Sequence, residues 1–500
     1  MEVFERILDQ LTYNPREPLI FSTSLFLFLF LGFTFVYMLL QKKLKPRLLF
    51  VMLFSYYFYY KTSGFYFVLL AVVTISDYYI AKKIASLRSE ECSSTTSRFS
   101  PRLLVTLSLV IDLGLLGYFK YTNFFAGMWA QMVGSNFQPW DIFLPVGISF
   151  FTFQSMSYVI DVYRRDLKPL PSLLDYAFYV SFFPQLVAGP IVRARDFAPQ
   201  IRQPLTITSE MFARGVWFII IGLFKKAVIS DYISINFVDR IFDNPSLYSG
   251  VENLLGVYGY TLQLYCDFSG YSDMAIGIAL LLGFRFPMNF NAPYKACSIT
   301  DFWRRWHISL STWIRDYIYI SMGGNRKGRV RQYVNLIITM LLGGLWHGAS
   351  LNFVAWGGMH GLALAAHKWS RDHLFHHDRH YQSHGWRRVG GVLLTFHFVA
   401  FCLIFFRHQH FADAWLMITT IFSNFHPELF VQVIVGYWFV FTLIAFGYVT
   451  HFFPDAWQER CILILRKGSF VLGALLLALV IYFVIQIKSS EIQPFIYFQF

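Results

Sequence analysis

The feature that most constrains this chain is a set of apolar runs long enough to cross a bilayer. Leu19–Leu40 and Leu48–Tyr60 contain no charged residue, while Phe65–Ile80 and Leu103–Tyr118 carry only Asp77 and Asp112. A helix rises about 1.5 Å per residue, so roughly 17–25 apolar residues span the hydrocarbon core. Composition agrees: 56% of the 500 residues are hydrophobic and 14% charged, whereas soluble domains carry about 25% charged residues. Continued along the chain, the pattern gives about eleven membrane-embedded segments. No stretch between them is long enough for a separate soluble domain, so residues 1–500 read as one integral-membrane domain.

Met1–Pro18 is charged and mixed, and the first apolar run is too long for a cleavable signal peptide. The segment reads either as an interfacial helix, with Val3, Ile7 and Leu8 opposing Glu2, Glu5 and Arg6, or as a frayed terminus. Cys92, Cys266, Cys297, Cys402 and Cys461 are scattered, odd in number and without a CxxC pair. They indicate neither a disulfide framework nor a zinc site.

The formal net charge is +13. Lys and Arg collect in cytoplasmic loops, so the charge is first a topology signal. Lys42–Arg47, the cluster Lys82, Lys83, Arg88, Arg98 and Arg102, the trio Arg164, Arg165 and Lys168, and the long stretch Arg285–Arg331 all fall on one side. That places the N-terminus outside, together with an acidic loop over Asp231–Glu252. Basic residues divided among membrane loops do not describe a nucleic-acid surface.

From Leu144 onward, polar and breaking residues enter the apolar stretches. LPVGISFFTFQSMSYVIDVYRR holds Pro145, Gly147, Gln154 and Asp161, and SFFPQLVAGPIVRAR holds Pro184, Gly189 and Pro190. Asp175–Pro190 has basic residues on both flanks, so it is expected to be re-entrant or broken. Such backbone is tolerated at membrane depth only where protein or a water-filled cavity surrounds it. LYCDFSGYSDMAIG adds Asp267, Ser269 and Asp273. A central aspartate costs about 2.5–3.5 kcal/mol on insertion scales, so these acids need partners or a polar cavity.

Ser298-Ile-Thr-Asp301 fits a capping box that starts a helix. Beyond it, Trp303, Trp306, Leu310, Trp313 and Tyr317 form one stripe, with Arg304, His307, Ser311 and Arg315 on another face. An amphipathic helix at the cytoplasmic interface is expected. It serves either as an anchor or as part of a site. Gly323-Gly-Asn325-Arg326 then turns; its amides and Arg326 are able to hold an anion. In the helix after Tyr333, His347 lies roughly 20 Å beyond Gln332. A histidine at that depth is either a hydrogen-bonded core residue or functional. His360, on the following helix, is read as a hydrogen-bonded core residue. His373, His376, His377, His380 and His384 sit in a polar loop without metal-ligand spacing, so no metal site is expected.

LPVGISFFTFQSMSYVIDVYR, FFPQLVAGPIVR, QLYCDFSGYSDMAIG, DFWRRWHISLSTWIRDYIYISMGGNR and LLGGLWHGAS, in this order, resemble the membrane-bound O-acyltransferase family, and within it the bacterial alginate O-acetyltransferase branch. The resemblance covers a core over residues 21–406 and weakens through the C-terminal helices, 407–500. It implies an all-α polytopic fold with re-entrant and interfacial helices around a central cavity, and catalytic roles for His347 and His307. It also implies a multi-pass protein of the bacterial inner membrane that moves an acetyl group toward an extracytoplasmic polysaccharide. The donor is then acetyl-CoA or an acyl-carrier thioester, with no bound cofactor. The partners are the lipid bilayer, the cytoplasmic donor, and a periplasmic acetyltransferase or the glycan. Arg304, Arg305, Ser311, Arg315, Asn325 and Arg326 become donor-binding candidates, and Asp267, Ser269 and Asp273 polar cavity candidates. The teichoic-acid D-alanyl transferases are cousins whose motif is not expected to carry GGNR. Gln154 stands where relatives have an acid and receives no role. A proton-coupled transporter or flippase using Asp267, Asp273 and His347 is the reading from another class.

Overall fold

The computed structural model describes residues 5, 9–15, 17–88, 100–374, 383–468 and 470–487. Most of the proposed N-terminal amphipathic face, with Cys92, Arg98, His376, His377 and His380, lies outside them. Among the described residues all regular secondary structure is helical. This follows from a backbone that has no water to bond in hydrocarbon. By length and composition three stretches can cross a membrane, Leu44–Arg88, Pro101–Met132 and Gly385–Arg407, or four if the pair Pro427–Gly436 and Trp438–His451, bent by 94°, is one span. The larger count of embedded segments is not reproduced by that measure. The remaining apolar stretches are shorter or interrupted, as in Ser24–Leu40 and Phe411–Ser423.

The chain divides into two compact units, one of Met1–Ile219 with Met274–Pro287, the other of Ile220–Asp273 with Met288–Lys488. In the first unit, large apolar side chains point outward; Phe28, Leu31 and Phe35 are 66–70% exposed. Polar groups point inward. Asp77 accepts a hydrogen bond from Ser108 at 2.7 Å, and Tyr37 donates to the Leu282 carbonyl at 2.6 Å.

The expected interruption between Asp175 and Pro190 is present. Helix Leu173–Ser181 stops at Phe182 and a single turn, Phe183–Leu186, follows. Protein groups occupy the backbone positions that the break exposes. Ser55 Oγ accepts from the Phe183 amide at 3.1 Å, and Tyr179 donates to the Val192 carbonyl at 2.9 Å. The buried Asp175 is paired with Arg202 at 2.7 Å.

In the second unit, Asp231–Glu252 is not a loop. Helical turns run over Asp231–Ile233, Ser234–Val238 and Asp239–Asp243. Its acids are drawn into ion pairs, Asp231 with Lys226 at 2.7 Å and Asp239 with Arg407 at 3.2 Å. Local acidic composition reads as a solvated loop only while the partners Lys226 and Arg407 are unseen.

Two helices of this unit, Arg329–His347 and Leu351–His373, form a tight antiparallel hairpin. A Cβ at Gly344 would lie 2.2 Å from the Phe353 carbonyl oxygen, and one at Gly357 would lie 2.4 Å from that of Met340. Only glycine lets the two backbones meet at these points. Gly357→Ala is therefore expected to lower the melting temperature of the detergent-solubilised protein, by an overpacking cost of about 1–3 kcal/mol. An unchanged melting curve would remove this account of the hairpin.

Candidate active site

The segment expected to be one amphipathic helix is two. Ser298 caps the first, its Oγ accepting from the Asp301 amide at 3.2 Å. Asp301 does not close the capping box; it pairs with Arg305 at 3.0 Å. Helix Ile299–Arg305 ends there, His307 takes a left-handed conformation at φ 43°, ψ 54°, and helix Ile308–Ile314 begins. A left-handed non-glycine residue costs about 1–2 kcal/mol, so something must hold it.

Asn289 holds it. The main chain beside the break bonds with the Asn289 segment: the Ile308 amide donates to the Asn289 carbonyl at 2.9 Å and the Asn291 amide to that of Arg305 at 2.9 Å. Asn289 Oδ1 accepts from the Ser309 amide at 3.2 Å and from Ser309 Oγ at 2.9 Å. Asn289 Nδ2 donates to Ser272 Oγ at 3.1 Å. Because a backbone amide can only donate, the Asn289 atom facing Ser309 must be the oxygen. The same oxygen lies 3.1 Å from His307 Nδ1, so Nδ1 carries the proton and the lone pair is on Nε2. Burial pushes the His307 imidazole down to about 3, which makes it neutral at physiological pH.

His347 is the last residue of its helix and is 3% exposed. Its ring packs edge-on against Trp346 and Trp356, each at 5.0 Å between centroids, and against Phe406 at 5.3 Å. Trp346 also contacts His307 at 6.0 Å, so one indole touches both histidines. His347 and His360 line a common small cavity walled by Phe302, Trp306, Trp356 and Phe406.

Asp267, Ser269 and Asp273 are buried but do not line this cavity. Lys226 bridges Asp267 at 2.6 Å and Asp231 at 2.7 Å, and Lys225 pairs with Asp273 at 2.7 Å. Both lysines come from a wide helical turn, Phe224–Ser230. Among the donor candidates, Arg305 is committed to Asp301. Arg315 pairs with Asp316 at 2.7 Å, and this hydrogen-bonded carboxylate raises its pKa further. Ser311 Oγ donates to the Trp306 carbonyl at 3.2 Å, across the helix break. Arg304, Asn325 and Arg326 are exposed. Gly323 and Gly324 turn the chain with positive φ, and Asn335 Nδ2 holds the Gly324 carbonyl at 3.0 Å.

Sequence reasoning missed Asn289, Trp346 and the two lysines. Lys225-Lys226 inside an apolar stretch was a usable signal, because buried cations demand the very acids that Asp267 and Asp273 supply. Asn289 had no such signal.

A model of the membrane-bound O-acyltransferase family matches residues 10–388, and the chain belongs to that family. It is an O-acyltransferase of the membrane. Over 413 residues it is 41% identical to the probable alginate O-acetylase of Pseudomonas aeruginosa, covering 81% of this chain and 75% of that protein. It is 38% identical to the peptidoglycan O-acetyltransferase of Helicobacter pylori, covering 79% and 78%. The teichoic acid D-alanyltransferase of Bacillus subtilis is 30% identical, over 53% of this chain and 69% of its own length.

Two outcomes follow. Asn289→Leu leaves His307 and Ser309 without their acceptor, and each orphaned buried group costs about 1–3 kcal/mol. Acyl transfer per folded molecule is expected to fall at least about tenfold as the imidazole tautomer is released; unchanged turnover would show that Asn289 only shapes the fold. Lys226→Met strands two carboxylates and should cost about 3–5 kcal/mol, measured as loss of monodisperse protein on size exclusion.

Proposed function

We propose that this enzyme moves an acetyl group from a cytoplasmic acetyl-CoA to a hydroxyl of an extracytoplasmic polysaccharide, using His347 as general base. The observation that carries the reading is the burial of His307 and His347 against one indole, Trp346. The acetyl group is favoured over D-alanine because the two acetyl-transferring relatives align over most of this chain, the D-alanyl relative over about half.

In the proposed reaction His347 takes the proton of the acceptor hydroxyl as the oxygen attacks the thioester carbonyl. The tetrahedral intermediate collapses, the C–S bond breaks, and the proton passes to the leaving thiolate. The products are the O-acetyl ester and free CoA. General-base assistance of this kind contributes about 10²–10⁴-fold. His307, with its lone pair on Nε2, accepts a hydrogen bond from the donor and positions it. The exposed Arg304 and Arg326 attract the donor's phosphates. This reading keeps about eleven embedded segments around a central cavity, the bacterial inner membrane, and a periplasmic acetyltransferase or the glycan itself as the receiving partner. The ion pairs of Asp267 and Asp273 favour a structural role for these acids, which weakens the proton-coupled transporter alternative.

Membranes carrying His347→Ala at wild-type abundance should transfer label from radiolabelled acetyl-CoA about 10²-fold or more slowly. Retained transfer at normal abundance would sink the histidine assignment. If only an acyl-carrier thioester supports labelling, the acetyl-CoA donor is wrong.

A further inference from the structure

The cavity beside His347 contains a second polar wall that the proposed reaction has not used. His360 is buried, and neither of its ring nitrogens has a hydrogen-bond partner among the described residues. The same holds for the indole nitrogen of Trp356. The two residues are one helical turn apart on Leu351–His373, their rings 4.7 Å apart. Both line the cavity that His347 lines.

A buried, unpaired polar group costs about 1–3 kcal/mol. Two on one wall of a largely apolar pocket are a net loss unless something polar enters it. The His360 ring is also fixed in place, by Trp303 at 5.2 Å, Phe302 at 6.2 Å and Phe398 at 5.4 Å. Packing of this kind holds a hydrogen-bond donor in one direction. Phe or Leu would fill the same space without the polar penalty.

We propose that His360 and Trp356 form the oxyanion site of the acyl transfer, and that the pocket they share with His347 holds the short acyl group. The inference rests on the acyltransfer reading above and names its second half. The N–H of neutral His360 and the Nε1–H of Trp356 donate to the thioester carbonyl oxygen. Negative charge gathers on that oxygen as the hydroxyl adds, and returns to the carbonyl when the C–S bond breaks. His347 carries the proton from the hydroxyl to the thiolate, so no further reactant is needed. Val399 and Leu403 also line this small cavity, so a short acyl group fits it better than a long chain. Together with the acetyl reading above, this makes the proposed substrate class a two-carbon acyl thioester.

The test uses full-length protein in native membranes of a strain lacking its own copy. Transfer from radiolabelled acetyl-CoA into cell-envelope polymer is measured with free CoA release. His360→Phe keeps the ring and its packing but removes the donor. At saturating acetyl-CoA its rate should fall about 10²-fold, as for loss of one oxyanion donor, with half-saturation little changed. Trp356→Phe should act in the same direction. A His360→Phe rate within about threefold of wild type overturns the oxyanion role. Leu403→Ala enlarges the pocket without touching either donor. The ratio of butyryl-CoA to acetyl-CoA transfer should rise at least about tenfold, and an unchanged ratio overturns the acyl pocket. This second variant keeps the proposal falsifiable if His360→Phe does not accumulate. Wild-type membranes that use only an acyl-carrier thioester would overturn the donor assignment instead. The same variants would then be compared with that thioester, with the same expected losses.

Discussion

In hydrocarbon, a backbone amide that leaves its helix has no water to replace the lost carbonyl. Two breaks among the described residues answer this need with a specific side chain. Ser55 takes the Phe183 amide at the broken segment, and Asn289 takes the Ser309 amide at the His307 break. At both places a side chain stands ready for the freed amide. The bend at Asn289 sets the tautomer of His307, so a structural requirement of the backbone also fixes the chemistry of a ring nitrogen.

Two sets of buried polar groups contrast. Asp175, Asp231, Asp267 and Asp273 each face a cation at 2.6–2.7 Å. Charges paired this closely hold elements together and are poorly placed to exchange protons. His360 and the Trp356 indole have donors and no acceptor among the described residues. This contrast separates scaffold from site more sharply than residue type does. Asp267 and Asp273, expected from the sequence as polar cavity groups, are ion-paired and do not line the cavity of His347.

Much of the fold was legible because it rests on local pattern. Apolar runs mark helices, Ser298 marks a helix start, and the Pro- and Gly-rich stretch after Asp175 marks a break. The break at His307 was hidden because the Trp303–Tyr317 spacing reads as continuous whether or not one residue flips to positive φ. What causes the flip, Asn289, is 18 positions away, and a periodic pattern carries no record of such a bond. His307 and His347 were legible as residues, and the family resemblance gave them their roles. Their meeting at Trp346 depends on packing and was not visible. Lys225 and Lys226 lie between these cases, since their partners follow from charge balance once the apolar stretch is recognised as buried.

The glycine contacts of the Arg329–His347 and Leu351–His373 hairpin carry one more consequence. With backbones touching at Gly344 and Gly357, the two helices have little freedom to slide past each other. His347 ends one of them, and His360 stands within the other. A bilayer that thins or thickens tilts its helices, but a pair locked at this distance tilts as one body. The spacing of the two imidazoles is thereby insulated from the lipid composition around it, and the proposed reacting geometry travels with the hairpin through membranes of different thickness.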